Sequence, residues 1–216
     1  MNLEEVCVRI TPQDVLIVVD VQNDFCPGGQ LAVASGDAVI VPIQRIAQYF
    51  QHIVLTQDWH PVGHSSFASS HPGKQPYEQI ELPYGPQTLW PDHCVQGTRG
   101  AEFHPRLNLS QAELILRKGF RREIDSYSAF FENDRTTPTG LLGYLKERKL
   151  NRVFLAGLAY DYCVAYSALD ARRFNLPTFV IRDACRAIDL KGSVATIEAE
   201  FADAGVKLIE NAELSS

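Results

Sequence analysis

Cys163 stands in the run Gly157-Leu-Ala-Tyr-Asp-Tyr-Cys-Val164. That run lies just beyond an apolar, strand-like stretch, Arg152-Val-Phe-Leu-Ala156, and opens a helical stretch read as Asp161 to Phe174. A thiol in the first helical turn meets unpaired backbone amides and the positive end of the helix dipole, and both favour thiolate. With Asp161 as N-cap, its side chain would hold that turn. A free cysteine taken alone is more often an inert, buried small hydrophobe, so the case rests on its neighbours. Asp20 directly follows a second apolar run, Val15-Leu-Ile-Val-Val19, and Lys118 directly follows a third, Glu113-Leu-Ile-Leu-Arg117. Asp20 could cap a turn and Lys118 could be solvated, but the three types together make a coherent set. A carboxylate can take the thiol proton as general base. An ammonium can orient that carboxylate and favour thiolate. The thiolate can then attack an electrophilic carbon, with the amides of Ala159 and Cys163 placed to hold the oxyanion.

A second group follows another apolar run, His52-Ile-Val-Leu-Thr56. In Asp58-Trp-His60 the two polar residues are two apart and share a face of extended chain. His93 lies in Trp90-Pro-Asp-His-Cys94. One carboxylate and two imidazoles suit Zn, Fe or Mn, with positions left open for water or substrate. His64 is a fourth candidate, as a ligand or as a hydrogen-bonded neighbour of the ligands. From spacing alone, metal ligation and ordinary hydrogen bonding stay equally open.

These residues need a frame that brings them together. Strand-like runs at 15–19, 52–56, 113–117, 153–156, 178–182 and 206–209 alternate with helical stretches at 37–50, 139–149, 161–174 and 193–202. Near-continuous β-branched runs suit strands covered on both faces. The alternation predicts an α/β fold, three-layered and doubly wound, with a mostly parallel sheet and right-handed crossovers. Ligands of such sheets bind beyond the carboxyl ends of the strands, where Asp20, Lys118 and Cys163 fall. Residues 60–109 break the rhythm, holding seven of the twelve prolines and five of the six histidines. So long a connection is functional or disordered, and its aromatic content favours an ordered insertion within one domain spanning 1–216.

Composition narrows the classes. The chain has 216 residues, 45% hydrophobic and 21% charged, which suits one globular α/β domain. A net charge of −6 without a clustered basic face argues against nucleic-acid partners. No apolar run reaches membrane-spanning length, and Met-Asn-Leu-Glu-Glu5 lacks the cationic start of a signal peptide. Five cysteines without a Cys-x-x-Cys pair suit reduced thiols and a cytoplasmic setting. Cys7, Cys26, Cys94 and Cys185 read as small buried hydrophobes, and the acidic tail 210–216 as partly disordered. A homo-oligomer remains open.

The motifs together resemble the nicotinamidases of the isochorismatase-like hydrolases. They are Ile17-Val-Val-Asp-Val-Gln-Asn-Asp-Phe-Cys-Pro-Gly-Gly29, Asp58-Trp-His-Pro61, His64-Ser-Ser-Phe67, Trp90-Pro-Asp-His-Cys94, Lys118-Gly119, Asp125-Ser-Tyr-Ser-Ala-Phe130 and Gly157 to Val164. The match runs in order along nearly the whole chain. It implies a six-stranded sheet, a catalytic triad of Asp20, Lys118 and Cys163, and metal ligation by Asp58, His60 and His93. It also implies a cis peptide between Leu158 and Ala159 shaping an oxyanion hole. Phe25 and Trp90 fall on positions that sandwich a pyridine ring, with Tyr127 and Leu158 as further pocket residues. The implied cofactor is one divalent metal ion, zinc before iron or manganese. The implied reaction converts nicotinamide to nicotinate and ammonia through a cysteine thioester, in NAD salvage, with pyrazinamide also accepted. Rivals are a same-fold hydrolase of another amide, carbamoyl compound or isochorismate, a non-catalytic binder of a pyridine ligand or metal, and a thiol redox sensor. Retention of all three triad types argues against a binder, and the lack of an evident resolving cysteine against a sensor.

Overall fold

The computed structural model describes residues 7–215, so the amino-terminal segment read for a signal peptide lies outside the described residues. Among the described residues, ten strands occur in chain order: β1 Val8–Arg9, β2 Asp14–Val19, β3 His52–Asp58, β4 Gln79–Leu82, β5 Gly85–Thr88, β6 Leu114–Lys118, β7 Arg152–Leu158, β8 Thr178–Arg186, β9 Lys207–Ile209 and β10 Leu214–Ser215. The α-helices are α1 Ile40–Ile46, α2 Leu141–Glu147, α3 Ala165–Arg173 and α4 Ser193–Ala204. Six strands form one sheet in the order β6-β3-β2-β7-β8-β9, every pair parallel. The chain winds outward from β2 through β3 to β6, then returns to β7 and winds the other way. The strand order therefore reverses between β2 and β7, the place where such sheets open a crevice.

The period of two along β2 explains the layers. Leu16 and Val18 join a core with Ile40, Ile43 and Ile46 of α1, while Val15, Ile17 and Val19 join one with Leu141 and Leu145 of α2, Ala168 of α3 and Phe201 of α4. All six β2 residues are buried. Each fully buried Val, Leu or Ile contributes about 1.5–3 kcal/mol, so this central strand has large hydrophobic support on both faces. Gly157 on β7 is required by close approach: its φ is +124°, and an added Cβ would sit 2.1 Å from the Val19 carbonyl oxygen.

The insertion is ordered and packs on the α1 side, contributing buried Trp90, Cys94, Ala101 and Leu109 to that core. Within it, β4 and β5 form an antiparallel hairpin that the sequence reading did not anticipate. The stretch read as one helix from Asp37 to Phe50 is a 3₁₀ turn at Gly36–Val39, then α1, then another 3₁₀ turn at Ala47–Tyr49. The tail is also more ordered than expected. Glu210 and Glu213 form a capping box around a 3₁₀ turn, and β10 pairs in parallel with β1, Val8 opposite Leu214. All five cysteines are free, and Cys7 is exposed, unlike the buried Cys26, Cys94 and Cys185. No helix among the described residues is long and apolar enough to cross a membrane.

Candidate active site

Asp20 follows β2, Lys118 ends β6 and Cys163 follows β7, so parallel register delivers all three to one end of the sheet. Lys118 sits at the centre. Its Nζ lies 2.8 Å from Asp20 Oδ2 and 3.3 Å from Cys163 Sγ, donates to the Ser126 carbonyl at 3.0 Å, and also donates to Asp58 Oδ1. The three side chains are buried. Asp20 has φ +47°, a left-handed conformation uncommon for a residue with a Cβ. Its carboxylate is fixed by the Thr56 hydroxyl, which donates to Oδ1 at 2.6 Å.

Burial shifts this cluster strongly. It pushes the Cys163 thiol well above its ordinary range; Lys118 opposes that push, and Asp20 and Asp58 add to it. Burial thus favours the neutral thiol at Cys163, against the thiolate that a helix end alone would favour. Burial also raises Asp20 against the opposing charge of Lys118, which makes its carboxylate a better proton acceptor than an ordinary aspartate. Burial penalises Asp58 too, but Lys118 and then His60 outweigh it and hold that carboxyl well below the usual range. Lys118 stays charged because Asp20 and Asp58 more than offset its own desolvation.

The turn carrying Cys163 differs from the sequence reading. The Leu158–Ala159 peptide is cis, as the resemblance implies. Residues Tyr160–Val164 form a single π turn before α3 begins at Ala165. The Tyr162 and Val164 amides both donate to the Ala159 carbonyl at 3.1 Å. Asp161 is not the N-cap of this helix; its carboxylate instead accepts from the Ile188 and Asp189 amides and the Ser193 hydroxyl.

Beside Cys163, Asp58, His60 and His93 each offer one possible ligand atom, all within 4.8 Å of one another. His60 Nδ1 bonds the Gly119 carbonyl at 2.9 Å and His93 Nδ1 bonds the Pro91 carbonyl at 2.8 Å. Both Nε2 atoms consequently face Asp58 Oδ2, at 3.6 and 3.8 Å. Outer hydrogen bonds of this type fix the tautomer that leaves a metal-facing lone pair. The charges agree: Asp20 and Asp58 are buried carboxylates sharing the Lys118 ammonium, and Asp125, also buried, lies 4.0 Å from His60 Nε2. A divalent cation at Asp58, His60 and His93 fits that negative excess. His64 is placed elsewhere, grouped with His60 and Asp125. Its two ring nitrogens bond Ser66 Oγ at 2.7 Å and the Ile124 carbonyl at 3.1 Å, so neither is directed at the Asp58 group. Burial and then His60 lower its pKa to about 4.

A small cavity adjoins both groups, lined by Phe25, Leu31, Asp58, Trp90, His93, Asp125, Tyr127, Ala159, Tyr162, Cys163 and Ile188. Of the proposed pocket residues, Phe25, Trp90 and Tyr127 line this cavity. Leu158 does not: its side chain is buried in the core on the α1 side. Trp90 Nε1 and Gln87 Nε2 both donate to the Tyr127 hydroxyl, at 3.0 and 2.9 Å, and hold that wall in place. Leu31, Asp125, Tyr162 and Ile188 were missed by sequence reasoning. Asp125 had a signal as the first residue of Asp-Ser-Tyr-Ser, and Tyr162 as the nucleophile's neighbour, whereas Leu31 and Ile188 had none.

The fold, with Asp20, Lys118 and Cys163 gathered at one sheet edge beside Asp58, His60 and His93, is that of a hydrolase of the α/β class. The isochorismatase domain model matches residues 14–213, and the chain belongs to that family. The nicotinamidase of Acinetobacter baylyi is 58% identical over 196 residues, covering 91% of this chain and 92% of its own. The solved nicotinamidase/pyrazinamidase of Acinetobacter baumannii superposes with a TM-score of 0.93 at 55% identity, over 94% of this chain and 98% of that one. The pyrazinamidase of Pyrococcus horikoshii, solved in complex with zinc, has a TM-score of 0.75 at 32% identity, over 92% and 99%.

Proposed function

We propose that the chain hydrolyses nicotinamide to nicotinate and ammonia through a Cys163 thioester, and accepts pyrazinamide in the same pocket. The observation that carries this reading is one buried ammonium, Lys118, touching Asp20, Cys163 and Asp58 at the wall of an aromatic cavity. The relatives named as nicotinamidases support the choice of amide. The ring lies against Phe25, Trp90 and Tyr127, with its carboxamide carbon toward Cys163 Sγ. Asp20 takes the thiol proton as sulfur bonds to carbon. Lys118 keeps Asp20 aimed and offsets the negative charge that moves onto the thiolate. The amides of Ala159 and Cys163 hold the oxyanion. Asp20 returns the proton to the amine, the C–N bond breaks and ammonia leaves. Asp20 next deprotonates a water that attacks the thioester, and the returning proton restores the thiol as nicotinate departs.

Asp58, His60 and His93 are the proposed metal ligands, with zinc before iron or manganese. A bound divalent ion supplies a Lewis-acidic site that can engage the ring nitrogen directly or through water, orienting the ring for attack. Reduced thiols and NAD salvage suit a cytoplasmic setting. The test is ammonia release from nicotinamide before and after chelator treatment, with Cys163→Ala alongside. Turnover requiring both thiol and metal is expected; no turnover by zinc-loaded wild type would exclude nicotinamide as the substrate.

A further inference from the structure

Asp161 is buried, two residues from the nucleophile, and has no part in the proton transfers above. Its carboxylate gathers three donors from residues 27 to 32 positions further on: the Ile188 amide at 2.9 Å on Oδ1, and the Asp189 amide at 2.8 Å and Ser193 hydroxyl at 2.5 Å on Oδ2. Those donors belong to the connection between β8, which ends at Arg186, and α4, which begins at Ser193. The connection is built from conformations that need outside support: Asp189, Lys191 and Gly192 have φ of +54°, +55° and +79°. Two of the three donors are backbone amides, so Asp161 fixes the path of the main chain there. That path puts the Ile188 side chain on the cavity wall, with Leu31, Tyr162 and Cys163 also lining it.

We infer that Asp161 is a positioning residue: it clasps the β8–α4 connection to the nucleophile's own turn and so sets the distance from Ile188 to Cys163. One carboxylate thereby joins the covalent centre to the wall that the flat ring must slide against. Charge-assisted hydrogen bonds to main-chain amides are strong and directional, and three on one buried carboxylate leave the connection little freedom. The clasp governs how tightly an aromatic amide is held, and leaves the triad's chemistry alone. This inference rests on the proposed reaction for its kinetic readout, but its structural readout does not.

The test uses Asp161→Asn, Ser193→Ala, Ile188→Ala and the double variant Asp161→Asn/Ile188→Ala. Amide hydrogen exchange at Ile188 and Asp189 is expected to accelerate at least about tenfold in Asp161→Asn and less in Ser193→Ala. In ammonia-release assays with nicotinamide, KM is expected to rise about tenfold in Asp161→Asn with kcat within about twofold, because ground-state placement is lost and the triad is intact. Ile188→Ala raises KM similarly, and the double variant is no worse than the poorer single one, since both remove the same wall. Multiplying losses in the double variant, a fall in kcat at unchanged KM, or unchanged exchange would overturn the clasp. If Asp161→Asn fails to fold, Ser193→Ala carries the test through exchange: it removes one of the three donors, so a smaller but measurable acceleration at Ile188 and Asp189 is expected, and no acceleration would overturn the clasp. Wild type that releases no ammonia would count against the reaction alone, and the exchange rates would still decide the clasp.

Discussion

Gly119 offers the most direct way to disturb the proposed metal group without touching a ligand. It follows Lys118 with φ +65°, and a Cβ added there would lie 2.4 Å from His60 Cε1 and 2.7 Å from Nδ1. Ordinary van der Waals contact begins near 3.4 Å, so Gly119→Ala drives the imidazole back by about 1 Å. The ring cannot retreat freely, because its Nδ1 is bonded to the Gly119 carbonyl and it packs edge-on against Phe67. A left-handed conformation costs a residue with a Cβ a further ~1–2 kcal/mol. Disturbing the shell that orients a metal-bound histidine typically lowers affinity 10–100-fold, equivalent to about 1.4–2.7 kcal/mol. The assay is calorimetric titration of chelator-treated protein with zinc, together with the alkylation rate of Cys163 in the metal-free state. Zinc affinity is expected to fall within that range, while alkylation changes less than about threefold, since Lys118 and Asp20 keep their contacts. Unchanged zinc affinity in a folded variant would refute the assignment of His60 as a ligand held by Gly119.

Other outcomes follow from the same geometry. Cys163→Ala is expected to abolish ammonia release while leaving zinc affinity and the thermal melt close to wild type; activity near wild type would remove the thiol from the reaction. Lys118→Met leaves Asp20 and Asp58 buried without their shared counter-charge, so denaturant unfolding near neutral pH should show a loss of about 3–5 kcal/mol. His64 has a folded-state pKa of about 4 against an ordinary 6.5, so the unfolded chain binds the extra proton first as pH falls. Its contribution to stability is complete above pH 6.5, shrinks as pH drops through that window and is gone below about 4. Metal-free protein should therefore lose up to about 3 kcal/mol across it, and a His64→Gln variant should show a flatter curve in denaturant titrations.

The sheet was legible because β2, β3 and β7 are buried on both faces and must be apolar throughout. The convergence of Asp20, Lys118 and Cys163 was legible because strand ends in a parallel sheet are collected at one edge, so only their strands needed to be found. Local breaks were harder. Pro42 in the first turn of α1 and the 3₁₀ turns flanking that helix do not change the apolar spacing from which a continuous helix was read. Asp161 looked like a cap because a short acid before a helix usually is one, yet its partners lie 27 to 32 residues away and leave no local trace. His64 is near Asp58 in sequence, but the bend after His60 turns it toward Ser66 and Ile124. Leu31 and Ile188 reach the cavity only through tertiary packing, and an isolated aliphatic residue in a loop carries no mark of that. The hairpin β4–β5 was obscured by Pro83 and Pro86, which break the alternation that announces a strand.

The pairing of Val8 with Leu214 brings the chain's two described ends side by side in register. The described backbone is thus close to a closed ring, and the order in which its pieces are synthesised is separable from how they are arranged. A chain opened at exposed Gly73, in the insertion, and joined across the old ends would begin with the Trp90 segment and finish with Asp58 and His60. The same strands could still stack in the same order and gather the same residues at one edge, since no contact in the sheet depends on where translation starts. In this fold the active site is a property of the ring and not of its endpoints.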